Sequence, residues 1–496
     1  MQLFENLQLS ITQHSNRNCF FIHGVFYTYA EFSSYISRIR KALQINTSDS
    51  EKNIGLIAND DIETYAAIIA LWLEGKAYVP MSPETPIDRN KSIIIQAEIK
   101  TIIDSSEKIL FPELNIIQSK NLPEAPINLD PKKVSNQELV YILFTSGTTG
   151  QPKGVPITIE NLSGFVDAFW EMDINISQED RCLQMFELTF DLSVMSYLIP
   201  LLKGACIYTI PKEEIKYSYI FELMDDQYLT FALMVPSMLH FLRPYFKEID
   251  LPEMKYSLFC GEALPTDITI EWSKCLPNAK IMNVYGPTED TIFCTQYTFN
   301  RDSENKSRNG ILSIGKAMNY NCNIIIDENN QILPSGKMGE LCLGGIQLTP
   351  GYWKNPEKNE EAFFYTQFNG KQERFYKTGD LCQADAEGDL LYLGRLDYQI
   401  KIQGFRVELS EIEFHVKAFL KTINVVVVPL LDPIGNTELG LVIESMEFNT
   451  EALHDYMKTK MPLYMVPKLI KFIPVFPLNT NGKTDRKELG LIFKSL

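Results

Sequence analysis

The 496-residue chain carries a formal net charge of −17, with 45% hydrophobic and 22% charged residues. That balance describes a globular protein of two or more domains and argues against nucleic acid as a partner, because phosphate backbones select basic faces. No apolar run is long enough to span a bilayer, so no membrane insertion is expected, and the opening MQLFENLQLSITQHSNRN lacks the basic-then-apolar order of a secretory signal.

From Phe26 to about Leu393 the chain alternates short β-branched runs with longer amphipathic ones. NIGLIA (53–58), KTIID (100–104), LVYILFTS (139–146), CIYTI (206–210), LTFALMV (229–235), YSLFCG (256–261) and AKIMNVYG (279–286) read as buried strands. Helical stretches such as IETYAAIIALWLEG and LSGFVDAFWEM lie between several of them, which implies largely parallel sheets flanked by helices. NCNIIIDENNQIL and GELCLGG read better as antiparallel strands. Residues 398–496 form a separate block. In it LSEIEFHVKAFLK is a helix with an apolar face of Ile412, Val416, Phe419 and Leu420. NVVVVPLL is a strand, and LHDYMKTKM a further helix. The boundary is expected around Gly394–Asp397. Nine cysteines without a C-x-x-C pair point to reduced thiols in a cytoplasmic protein, not to a disulfide framework or a zinc site. The five histidines are isolated and read as structural or surface residues.

The stretch ILFTSGTTGQPKGVP (142–156) runs from an apolar strand into Thr, Ser and Gly and then Lys153. It is not a Walker-type loop: Gly147 and Gly150 stand at the wrong distances from the lysine. Its chemistry still suits an anion, since glycine lets backbone approach closely, hydroxyls donate and lysine adds a charge. An ordinary strand-to-helix turn is the alternative. Four more motifs follow in order. NVYGPTED (283–290) sets an aromatic face and a carboxylate around a Gly-Pro turn, for a base and a cation. YKTGDL (376–381) presents Asp380, suited to two ribose hydroxyls. GRLDYQIKIQGFRVE (394–408) offers Arg395, Lys401 and Arg406, and NTNGKTDRKEL (479–489) projects Lys483 from a glycine turn. Each taken alone also reads as a turn, a surface charge or a salt bridge.

Together, with FYTYAEF (26–32) and GKAYVPMSPETP (75–86), these motifs resemble the acyl- and aryl-CoA synthetase, luciferase and adenylation-domain superfamily, and within it the amino-acid adenylation domains. The resemblance implies an α/β fold with a large N-terminal domain (1–396) of mainly parallel sheets flanked by helices plus a distorted β-barrel. A small mobile α+β domain (397–496) follows, with Asp397 as the hinge. It also implies two steps at one site: ATP and a carboxylic acid give an acyl adenylate and pyrophosphate, and a thiol then takes the acyl group. By the same resemblance Thr145, Ser146, Gly147, Thr148, Thr149 and Lys153 hold phosphates, with Thr145 also counted as catalytic. Tyr285 stacks on adenine beside Asn283, Gly286 and Thr288. Glu289 is catalytic and binds Mg²⁺, Asp380 and Arg395 hold the ribose or phosphate, and Lys483 is the mobile catalytic lysine. Such a reaction joins two anions, so positioning and electrostatics should supply most of the catalysis. A carboxylate is already ionised at neutral pH and needs no general base.

In FELTFDLSVMS (186–196), Asp191 matches the aspartate that pairs with the substrate ammonium in amino-acid adenylation domains; a helix N-cap is the alternative. Leu192, Met195, Met234, Leu258, Cys260, Val284, Ile292 and Phe293, with Gly261, match the side-chain pocket. All are uncharged, which predicts a small or apolar side chain. FDLSVM, LFCGEALP and NVYGPTED are similar to the D-alanine–D-alanyl carrier protein ligases, in which a cysteine at the Cys260 position lies beside the substrate methyl. Phe293 and Met234 depart from that pattern. The expected reading is a stand-alone, monomeric cytoplasmic ligase that activates D-alanine for the phosphopantetheine thiol of a separate carrier protein. The alternatives are activation of another small or apolar L-amino acid, as in nonribosomal peptide synthesis, and an acyl-CoA synthetase, against which Asp191 weighs.

Overall fold

The computed structural model describes residues 2–147, 150–421, 423–477 and 484–493. The chain divides into two compact units. One comprises Met1–Pro83, Ile94–Leu143 and Gly154–Leu396; the other joins Glu84–Ile93 and Phe144–Lys153 to Asp397–Leu496.

The first unit is built on two sheets with a parallel interior. The nine-stranded sheet runs, edge to edge, Lys316–Ala317, Thr295–Thr298, Lys280–Tyr285, Tyr256–Phe259, Phe231–Met234, Arg181–Gln184, Cys206–Thr209, Asn18–Ile22 and Val25–Thr28. Its interior pairings are parallel, while Thr295–Thr298 and Val25–Thr28 are antiparallel to their inner neighbours. The six-stranded sheet runs Asn115–Gln118, Thr101–Asp104, Asn53–Ile57, Ala77–Met81, Leu139–Thr145 and Lys153–Thr158. Strands buried on both faces are continuously apolar instead of alternating, which is why the seven expected runs appear here as strands.

The helix Ile62–Leu73 shows how the sequence dictates depth. IETYAAIIALWL is apolar on every side, and all twelve of its residues are buried. A helix without a polar face belongs inside a protein. Asp61 caps its start by accepting from the Thr64 N–H at 2.9 Å, and Trp72 donates its indole N–H to the Val140 carbonyl at 2.9 Å. Tyr78 and Tyr197 share a hydroxyl contact at 3.0 Å in the same core.

Beyond these sheets, Asn321–Ile326, Met338–Gly345, Lys371–Ala384 and Phe363–Phe368 pair in that order, with Leu390–Arg395 added to Lys371–Ala384. All these pairings are antiparallel. Where a distorted barrel was expected, the described residues form this five-stranded sheet without a closing pair.

The second unit has a three-stranded sheet of Val425–Leu431, Thr437–Glu444 and Leu469–Ile473, and a hairpin of Gln399–Ile402 with Phe405–Glu408. The helices Leu409–Leu420 and Glu451–Lys460 cover a core of Ile412, Val416, Val427, Leu441 and Met457. The expected apolar face of Leu409–Leu420 holds for Ile412 and Val416, and Leu420 packs, partly buried, against the same core. Phe419 is 37% exposed and rests instead on Tyr456, with ring centroids 5.0 Å apart.

Candidate active site

Three adjacent parallel strands of the large sheet end level with one another, for Met234 pairs with Phe259 and Phe259 with Asn283. The carboxyl ends of such strands are where open α/β sheets bind ligands. Met234, Leu258, Cys260 and Val284 lie at these ends, and the Cys260 N–H donates to the Met234 carbonyl at 3.0 Å. Gly261 follows with φ +95°, a conformation that suits glycine. All eight residues expected to line the side-chain pocket, Leu192, Met195, Ile292 and Phe293 included, belong to the same buried core. The bulk of Phe293 points into that core: its ring meets Phe165 and Phe169 at centroid distances of 5.0 and 6.5 Å.

Asp191 is 3% exposed and occupies the N-cap position of the helix Leu192–Leu201. Its backbone is helical there, and its side chain makes no capping hydrogen bond. The capping alternative therefore fails, which leaves a buried carboxylate at the head of an apolar helix. Burying such a group is costly unless a cation or donors meet it.

The nucleotide-type residues form a second cluster in the same unit. Asp380, opposite Arg395 in the antiparallel pair, takes a hydrogen bond from the Tyr285 hydroxyl at 2.5 Å and an ion pair from Arg395 at 2.8 Å. Arg395 also donates to the Thr378 carbonyl at 3.1 Å, and the Thr378 hydroxyl receives the Asp380 N–H at 3.0 Å. Burial, and then the charge of Asp380, push the Tyr285 phenol well above its usual range. Asn283 donates its amide to the Ser313 carbonyl at 2.9 Å. Gly286 is required by close approach, since a Cβ there would stand 2.4 Å from the Phe293 Cα.

Thr288 and Glu289 lie in the short 3₁₀ turn Thr288–Asp290. Glu289 is fully buried and accepts from the Tyr352 hydroxyl at 2.7 Å, while its carbonyl accepts the Thr349 N–H at 2.9 Å. Burial pushes the adjacent Asp290 carboxyl up to about 7, with the charge of Glu289 adding to the effect and the Cys294 thiol opposing it. No group of three or more His, Cys, Asp or Glu among the described residues could hold a metal ion.

The glycine-rich loop belongs to the second unit. There the Ser146 hydroxyl donates to the Arg406 carbonyl at 2.8 Å and the Gly147 N–H to the Glu411 carboxylate at 3.1 Å. Arg89 pairs with the other Glu411 oxygen, and Lys153 stands 3.9 Å from Glu408. The Thr145 hydroxyl is buried without a hydrogen-bond partner among the described residues. Asp397 accepts the Gln399 N–H at 3.1 Å, a local turn at the entry to the C-terminal stretch. Thr148, Thr149 and Lys483 lie outside the described residues.

Sequence reading missed the supports. Asn161 donates to the Ile346 and Leu348 carbonyls at 2.8 and 3.0 Å, and Arg374 to the Thr349 and Pro350 carbonyls at 2.8 Å each. Gln347 and Tyr352 belong to the same segment, GGIQLTPGYW. Its glycines signal a turn, and nothing local signals which distant carbonyls the side chains reach.

A family model described as AMP-binding enzyme matches residues 7–353. The chain is 30% identical over 482 residues to the D-alanine–D-alanyl carrier protein ligase of Bacillus velezensis, covering 93% of this chain and 94% of that protein. It is also 30% identical over 479 residues to tyrocidine synthase 1 of Brevibacillus parabrevis; 93% of this chain is covered, and it spans 42% of that synthase. Of the first synthases it matches, the chain spans less than half the length, from 9% to 42%. The fold superposes on the Vibrio cholerae adenylation domain AlmE, solved with glycyl-adenosine-5′-phosphate. The TM-score is 0.87 at 25% identity, covering 100% of this chain and 98% of that one. The chain belongs to the AMP-binding enzyme family, within the adenylate-forming superfamily its motifs resemble.

Proposed function

We propose that the chain activates a small, uncharged amino acid with ATP, forming an aminoacyl adenylate and pyrophosphate, and passes the acyl group to the phosphopantetheine thiol of a carrier protein. The observation that carries this is Asp191, a buried carboxylate that does not cap its helix and stands beside an uncharged, buried pocket wall. A substrate ammonium offers a buried carboxylate in this place a counter-charge, and fatty or acetic acids have none.

In this reading Asp380 and Arg395 hold the ribose, Tyr285 faces adenine, and the loop at Thr145, Ser146, Gly147 and Lys153 takes the phosphates. Thr148, Thr149 and Lys483 keep the roles their motifs imply. Glu289 suits Mg²⁺, which uses one or two carboxylates and takes its remaining ligands from phosphate and water. When bound, the ion neutralises phosphate charge. The chain itself positions: Asp191 fixes the amino end, so that the substrate carboxylate is presented to the α-phosphate, and the buried wall excludes water.

D-alanine is the leading substrate, supported by the full-length likeness to a ligase of that name. Glycine is the second reading, favoured by the likeness to a domain solved with glycyl-adenosine-5′-phosphate. Amino-acid-dependent exchange of pyrophosphate into ATP, across D-alanine, L-alanine, glycine and apolar L-amino acids, separates them. Exchange with acetate or a fatty acid alone would overturn the role of Asp191.

A further inference from the structure

The segment after Glu289 holds two β-branched residues in succession in the left-handed region: Thr291 at φ +48° and Ile292 at φ +75°. Such residues avoid this region, and surrounding structure must impose it. One side chain does so. Gln347, fully buried, directs its amide at three carbonyls of the turn: Asp290 at 3.2 Å, Thr291 at 3.1 Å and Phe293 at 2.9 Å. In return the Thr291 hydroxyl donates to the Gln347 carbonyl at 2.5 Å. The remaining atom of the amide, Oε1, accepts from Asn321 Nδ2 at 2.6 Å, so every polar atom of the side chain is engaged.

The chemistry selects glutamine. Three carbonyl oxygens call for a donor, which a glutamate cannot provide, and an asparagine is one methylene short.

We infer that Gln347 is a positioning residue for substrate choice: it holds the strained turn so that Ile292 and Phe293 keep their places in the side-chain pocket. This rests on the reading, given under Proposed function, that those two residues line that pocket. The turn is clamped from 54 to 57 residues away in sequence, by a fully buried side chain.

The test pairs Gln347→Met, which keeps the length and removes the amide, with Asn321→Ala, which removes the outer anchor together with a local bond to the Asn319 carbonyl. Deuterium uptake of residues 287–294 in the ligand-free protein is followed alongside KM for amino acid and for ATP in the exchange assay. For Gln347→Met, uptake should quicken and the amino-acid KM rise about tenfold, with the ATP KM held within about twofold. Asn321→Ala should move the same readouts in the same direction by about threefold, and it decides the matter if Gln347→Met does not fold. Unchanged uptake, or equal loss in both KM values, overturns the inference. If the wild type shows no amino-acid-dependent exchange, the pocket reading falls with its substrate role for Gln347, while uptake still decides whether the clamp exists.

Discussion

The turn at Glu289–Phe293 and the loop at Thr145–Lys153 are both short, yet they are held by opposite chemistry. Neutral amides grip the turn: Gln347 binds its carbonyls, and Asn161 braces the segment that carries Gln347. Carboxylates grip the loop: Glu411 takes the Gly147 N–H and Glu408 stands near Lys153. An incoming anion has nothing to offer carbonyls already met by amide hydrogens. It offers the loop the same kind of partner that Glu411 and Glu408 supply now. In the proposed reading, the first arrangement keeps the shape of a side-chain pocket and the second serves a phosphate loop that fills and empties.

Four substitutions break or sharpen this contrast. Asp191→Asn has the largest expected effect: kcat/KM for the amino acid should fall roughly a thousandfold, about 4 kcal/mol, because the ammonium loses its counter-charge. The exchange assay measures it, and a fall shared equally by the ATP KM would contradict it. Glu411→Leu strands the Arg89 guanidinium, whose side chain is only 9% exposed, and should cost about 3 kcal/mol in equilibrium unfolding. A loss below about 1 kcal/mol, the range of an exposed pair, would show that the loop is not gripped as described. Gly150→Ala meets both a φ of +74° and a Cβ position 2.5 Å from the Phe414 ring. It should destabilise by about 1–2 kcal/mol, part of which Phe414→Ala restores. Last, Glu408→Gln loosens a long ion pair, and the ATP KM should fall by about twofold, most clearly at low salt.

Much of this architecture was legible because long apolar runs have few places to go: YSLFCG and AKIMNVYG become neighbouring parallel strands, and IETYAAIIALWL a helix buried on every side. Ala77–Met81 was hidden by Pro80, a residue that ordinarily bars a central strand; here it sits in register with Leu56 between two neighbours. Asn18–Ile22 was missed because NCFFI is as short as a loop segment and gains its identity from its neighbours, Cys206–Thr209 on one side and Val25–Thr28 on the other. In the candidate site, Glu289 was readable from its local turn and Asp380 from its motif, although Asp380 lies within the strand Lys371–Ala384. Gln347 and Asn161 were not, since each acts on carbonyls far along the chain and lies in text that resembles any turn or helix start. The clustering of the 84–93 and 144–153 segments with the C-terminal stretch also depends on distant pairs, such as Arg89 with Glu411, that no local pattern encodes.

None of the nine cysteines forms a disulfide, and eight of them are buried. The exception, Cys322, is half-buried and lies next to Asn321, the residue that anchors Gln347. Burial pushes its thiol up to about 11, so little of it is thiolate at neutral pH and a modifying reagent should react slowly. The protein thus carries a native chemical reporter one residue from the clamp. Loosening of that strand, by mutation or by a bound substrate, becomes readable as a change in the rate of a single alkylation, without any engineered label.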